Sequence, residues 1–127
     1  MRWSALAFAM LCLGGSAAAD VDGIWKSAPR ANGGFIIVEI APCADAPQQR
    51  CGRIIQSSAG RADLIGEIII FGMTRAGADD WTHGHIRRPG GGGTYRSNLH
   101  VAGDVLTVQG CAVGGLICQS QDWTRAR

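Results

Sequence analysis

Gly and Pro set the frame of this chain. Glycine occurs 19 times and proline four times, and together they cut the sequence into short apolar or alternating segments. No window sustains a helical period, so the text reads as strands joined by turns. Ile24 to Ala28 is a first strand, ended by Pro29, and Asn32-Gly33 is a hairpin signal. Gly34 to Ala41 follows, apolar on both faces and therefore expected to be covered on both sides. Pro42 to Arg50 reads as a loop, Arg50 to Gln56 as a returning strand and Ser57 to Asp63 as a polar connection. Ile68-Ile69-Ile70-Phe71 is a β-branched run too short for a buried helix. Asp80 to Arg88 alternates, placing Trp81, His83, His85 and Arg87 on one face. Pro89 and glycines 90–93 form a hairpin tip before Thr94 to Val101, where Tyr95, Ser97, Leu99 and Val101 share a face. Val105 to Gly110, a loop from Cys111 to Cys118, and Gln119 to Arg125 complete the chain. About eight sequential strands with short turns predict an all-β, antiparallel up-and-down barrel, because closure removes the exposed sheet edges.

The first 19 residues stand apart. Met1-Arg2 is a positive start, Leu6 to Leu13 an apolar core too short to cross a bilayer, and Ser16-Ala17-Ala18-Ala19 a small-residue cleavage pattern. Residues 1–19 are therefore expected to be a signal peptide, leaving 20–127 as one domain in the periplasm or secreted, with no stable membrane anchor. A domain of about 100 residues buries roughly two-thirds of its unfolded surface, so its core has little to spare. The formal net charge of the full chain is +2, of which the leader supplies Arg2. That balance leaves no footprint for a nucleic acid.

Cys43, Cys51, Cys111 and Cys118 lie beyond the leader, an even count that reads as disulfides in an exported chain. Their spacing favours two local bridges, Cys43–Cys51 and Cys111–Cys118, with crossed pairing between the hairpins as the alternative. A four-thiolate zinc site would show tighter Cys-x-x-Cys pairs. Trp25, two residues after Gly23, is suited to floor a barrel, and its partner is expected at the far end in Trp123-Thr124-Arg125. If the barrel closes, these ends meet and Arg125 lies across the Trp25 face as a cation–π lid.

Gly-Ile-Trp at 23–25, Cys-Gly-Arg-Ile-Ile at 51–55, Trp-x-x-Gly-x-Ile at 81–86 with Pro89 and Gly-Thr-Tyr at 93–95, Val-x-Gly-Cys at 108–111 and Gln-Asp-Trp-Thr-Arg at 121–125 occur in order. Together they resemble the bacterial exported family known as domain of unknown function 2147. The resemblance implies a lipocalin-like antiparallel barrel and an exported protein, and it implies no reaction. Two departures stand out. The family's Asp/Asn-Pro-rich insertion before the Leu-x-Gly element is reduced here to Ser57–Asp63, and His85-Ile86-Arg87-Arg88-Pro89 replaces a Lys-Ile-Tyr-Asp/Asn-Pro stretch.

Several residues are candidates for chemistry. Trp25, Trp81, Tyr95 and Trp123, with Arg53 and Arg125, are expected to serve an apolar pocket, although such aromatics also fill cores. Arg53, Arg87, Arg88 and Arg96 are suited to draw an anionic ligand to a barrel mouth. His83, His85 and His100 have the spacing of a possible zinc or copper site, with solvated surface histidines as the plainer reading. Glu39 sits in an apolar strand and is either buried or turned outward. The glycines at 90–93 are not a phosphate loop, since no Lys-Ser/Thr follows, and no nucleophile is fixed beside a base. The expectation is a binding protein without cofactor and not an enzyme, taking a small apolar or amphipathic ligand in its lumen. The alternative is a module for a periplasmic protein partner, such as a protease inhibitor.

Overall fold

The computed structural model describes residues 20–126 other than Ala59. The expected signal peptide lies outside the described residues. Eight strands run in chain order: β1 (Gly23–Lys26), β2 (Ile36–Cys43), β3 (Ala46–Ser57), β4 (Ile68–Arg75), β5 (Asp80–Arg87), β6 (Thr94–Ala102), β7 (Val105–Ala112) and β8 (Ile117–Ala126). Each pairs antiparallel with the next, and β8 returns to β1, closing the barrel. The expected up-and-down topology is therefore the observed one. Two single 3-10 turns, Ala62–Leu64 and Val113–Gly115, are the helical pieces among the described residues.

Alternation builds the core. Ile36, Val38 and Ile40 of β2, Ser97, Leu99 and Val101 of β6, and Leu106 and Val108 of β7 are all buried, with more exposed neighbours between them. Bulges adjust the strands where strict alternation would not close the cylinder. The β3–β4 register shifts twice around Gly52, and both Ile69 and Ile70 end up buried. Extra residues of this kind bend and twist the strand that carries them.

Two segments expected to be loops are strand instead. β2 runs on through Pro42 to Cys43, a two-residue turn follows, and β3 begins at Ala46 rather than at Arg50. This ribbon overhangs the barrel: β1 reaches only Ile40 on one side, and β4 pairs only from Arg50 on the other. Pro42 and Pro47 thus sit where the β2–β3 ribbon has no third strand beside it to need their missing N–H. The β7–β8 hairpin likewise extends to Ala112 and Ile117. Both local disulfides form, Cys43–Cys51 with Cα atoms 5.0 Å apart and Cys111–Cys118 at 4.0 Å. Cys111 and Cys118 are directly opposed in the ladder.

Candidate functional site

The two ends of the cylinder differ. One end is shut by the meeting of β1 and β8. Trp25 and Arg125 are register partners, and the guanidinium carbon lies 4.2 Å from the indole centroid. Trp25 is fully buried, and its Nε1 donates to the Val21 carbonyl at 2.9 Å. Arg125 Nη2 donates to the carbonyls of Asp20 and Gly103 at 3.0 and 3.1 Å, Nη1 to that of Asp22 at 3.3 Å, and Nε to the Asp104 carboxylate at 3.2 Å. Gly23 makes the contact possible. Its φ is +138°, and a Cβ there would stand 3.0 Å from Arg125 Nη1. This end is a tied lid, as the spacing of the two tryptophan-bearing termini predicts.

The other end is open. A cavity of about 710 Å³ enters there, within the roughly 300–1,000 Å³ span of small-molecule sites. Its apolar wall includes Ile36, Ile69, Ile86 and Val108, with Tyr95 and Trp123 as its aromatic members. Gln119 and Gln121 of β8 give it one polar side, and the Trp123 Nε1 donates to Gln121 Oε1 at 2.7 Å. Gly110 leaves room in the wall, since a Cβ there would meet nothing closer than Ile86 Cγ2 at 3.4 Å, whereas its register neighbours Ser97 and Gly84 lie outside the lining and Gly84 packs against Met73. The Ser97 hydroxyl is buried and has no protein hydrogen-bond partner. Ile117, 59% exposed, continues the apolar surface onto the lip, preceded in the chain by the 83% exposed Leu116.

Of the residues expected in the pocket, Tyr95 and Trp123 line it, while Trp25 and Arg125 belong to the shut end. Trp81 is a core residue, 3% exposed, with the Arg50 and Arg75 guanidiniums 4.9 and 4.6 Å from its ring. Arg53 lies outside the barrel and reaches Glu39 Oε1 at 3.2 Å, which also turns Glu39 outward. Arg87 and Arg88 line the mouth, and Arg96 is not part of the lining. Arg30, not singled out in the sequence, joins them. Its only signal is its place in the β1–β2 turn.

The histidines separate from Trp81. A register shift falls between Trp81 and Gly84, and His83 adopts a left-handed φ of +61°. The expected single face of Trp81, His83 and His85 is therefore broken: Trp81 turns into the core and both histidines are exposed. His100 stands opposite Asp80, its Nδ1 2.8 Å from Asp80 Oδ1. Among the described residues no three His, Cys, Asp or Glu side chains gather as a metal site. Near the mouth, the hydrogen bond from Arg61 holds the Asp63 carboxyl below its ordinary pKa, and the same bond raises Arg61.

Residues 23–125 match the model of a family described as uncharacterised proteins conserved in bacteria, domain of unknown function 2147. The chain belongs to this family. No functionally curated protein matches the DUF2147 chain in sequence. Among solved structures, it is similar to HP1028 from Helicobacter pylori, described as belonging to the lipocalin family, at a TM-score of 0.69 and 13% identity. That likeness covers 85% of this chain and 84% of the other, and it establishes a shared lipocalin-like fold.

Proposed function

We propose that this DUF2147 protein is an extracytoplasmic binding protein, not an enzyme, that holds one small apolar or amphipathic molecule in the open half of its barrel. The observation that carries the reading is the open cavity of about 710 Å³, lined by aliphatic side chains and edged by Gln119 and Gln121. Burying an alkyl group against such a wall yields about 0.8 kcal/mol per methylene. The two disulfides support a location outside the reducing cytoplasm. The lipocalin-like fold of HP1028 is consistent with the same use of the lumen.

A neutral apolar fluorophore, N-phenyl-1-naphthylamine, tests the reading. The wild type should enhance its emission saturably at one site. Gly110→Leu fills the cavity from a position where a Cβ meets nothing closer than 3.4 Å, and Ala112→Leu fills it from the next inward position of β7. Both variants should keep the β circular-dichroism spectrum and lose at least tenfold in affinity. Unchanged affinity in two folded variants would remove the lumen as the site.

A further inference from the structure

The mouth of the cavity carries a one-sided set of charges. Arg30, Arg87 and Arg88 line it, and no Asp or Glu does. They come from two separate places in the chain, the β1–β2 turn and the end of β5 with its following turn, and converge only in the closed barrel. Most of the other described arginines are occupied, Arg96 excepted. Arg50, Arg53, Arg61 and Arg125 pair with Asp22, Glu39, Asp63 and Asp104. Arg75 donates to the carbonyls of Gly77 and Ala78. None of the three mouth arginines has an acidic partner among the described residues. Of the nearby acids, Asp63 is paired with Arg61, and Glu67, which does not line the cavity, accepts the Gly90 N–H at 3.1 Å.

Two of the mouth arginines are also placed rather than loose. The Arg87 guanidinium lies 4.9 Å from the Phe71 centroid and that of Arg88 lies 5.7 Å from the Tyr95 centroid. Tyr95 itself lines the cavity. Stacking of this kind leaves the edge N–H groups of the guanidinium plane free to donate to an oxyanion, often in pairs. Immediately below them the wall turns aliphatic at Ile36, Ile69 and Ile86.

From this arrangement we infer that the ligand is an anionic amphiphile: an alkyl or similarly apolar tail enters the lumen, and a carboxylate or phosphate head is held by Arg30, Arg87 and Arg88. The inference rests on the lumen reading and adds the head group to it. A neutral ligand of equal length would leave three cations at the mouth without a counter-charge. An anionic head neutralises them, and charge-assisted hydrogen bonds are about twice as strong as neutral ones. A cationic head would add to the repulsion.

Three C12 probes of one chain length separate the possibilities: dodecanoate at pH 8, dodecan-1-ol and dodecyltrimethylammonium, each below its micellar concentration and competing with N-phenyl-1-naphthylamine. The wild type should bind dodecanoate roughly tenfold or more tighter than dodecanol, and dodecyltrimethylammonium most weakly. The preference should shrink as salt rises. The variant carrying Arg30→Gln, Arg87→Gln and Arg88→Gln should bind dodecanol as the wild type does and lose the preference for dodecanoate. Lysophosphatidylglycerol, added as a fourth probe, distinguishes a lipid phosphate head from a free carboxylate by which of the two competes better. Equal binding of acid and alcohol by the wild type, or a preference that survives in the variant, would overturn the head-group assignment and leave the lumen reading standing. Failure of every probe, the fluorophore included, would overturn both.

Discussion

At the scale of single residues, the barrel separates side chains that look alike in the sequence. Gly84 and Gly110 both face inward across from Ser97. A Cβ at Gly84 would overlap Met73 Sδ and the Phe71 carbonyl oxygen, whereas one at Gly110 meets Ile86 Cγ2 at 3.4 Å and Tyr95 Cβ at 3.9 Å, both ordinary contacts. Gly84→Ala should therefore cost about 1–3 kcal/mol through overpacking, and Gly110→Ala well under 1 kcal/mol. Urea unfolding of the two variants checks this, and equal losses would show that the Gly84 contact relaxes freely. The arginines make the same point about legibility. Arg53, Arg87 and Arg88 were equally plausible as mouth residues from the text. Register decides that Arg53 meets Glu39 outside while Arg87 and Arg88 reach the cavity. The bulge at Thr82–His83 was not legible either. A one-residue insertion changes which side chains face inward without leaving a mark in a strand that still alternates. Its left-handed residue is a histidine, not the glycine that would have signalled it.

At the scale of elements, sequence reasoning recovered the number and order of strands, because each is bounded by turn chemistry and carries its own alternation. It misplaced hairpin ends. Pro42 to Arg50 reads as a loop, yet it is mostly strand, and no third strand flanks the overhanging ribbon at Pro42 or Pro47. The same two hairpins carry the disulfides, whose sequence separations are 8 and 7. In the chain-entropy view each such loop contributes about 2–3 kcal/mol by restricting the unfolded state. Cys43→Ala with Cys51→Ala, and Cys111→Ala with Cys118→Ala, should each lower the unfolding free energy by about that amount. The second pair braces the hairpin that ends in the exposed Leu116 and, at the cavity lip, Ile117. Its loss should also raise amide exchange across residues 112–118, which the first pair should leave unchanged. Exchange that rises equally in both variants would mean that each bridge acts on the whole barrel and not on its own hairpin.

At the scale of the whole molecule, closure depends on a single seam. β1 is only four residues long, so the contact between the chain's two ends rests on three register pairs, Ile24–Ala126, Trp25–Arg125 and Lys26–Thr124. Arg125 reinforces that seam from inside, with one guanidinium spanning three carbonyls, a carboxylate and the Trp25 ring. Removing it leaves carbonyls of Asp20, Asp22 and Gly103 without their donor and takes the cation from the indole face. Arg125→Ala should cost on the order of 3 kcal/mol, given about 1.5–3 kcal/mol for a charged hydrogen bond and incomplete additivity. Arg125→Lys should fall between Ala and the wild type, since an ammonium keeps the charge and loses the planar fork. Denaturant titration followed by tryptophan emission measures the order. The position of the cavity sharpens the expectation. Arg125 seals the shut end and Arg30, Arg87 and Arg88 ring the open one, so the Ala variant should lose stability while its affinity for an apolar probe, measured where it remains folded, stays within about twofold. A parallel fall in affinity would show that the two ends are mechanically coupled through β8, which carries both Arg125 and the cavity residues Gln119, Gln121 and Trp123.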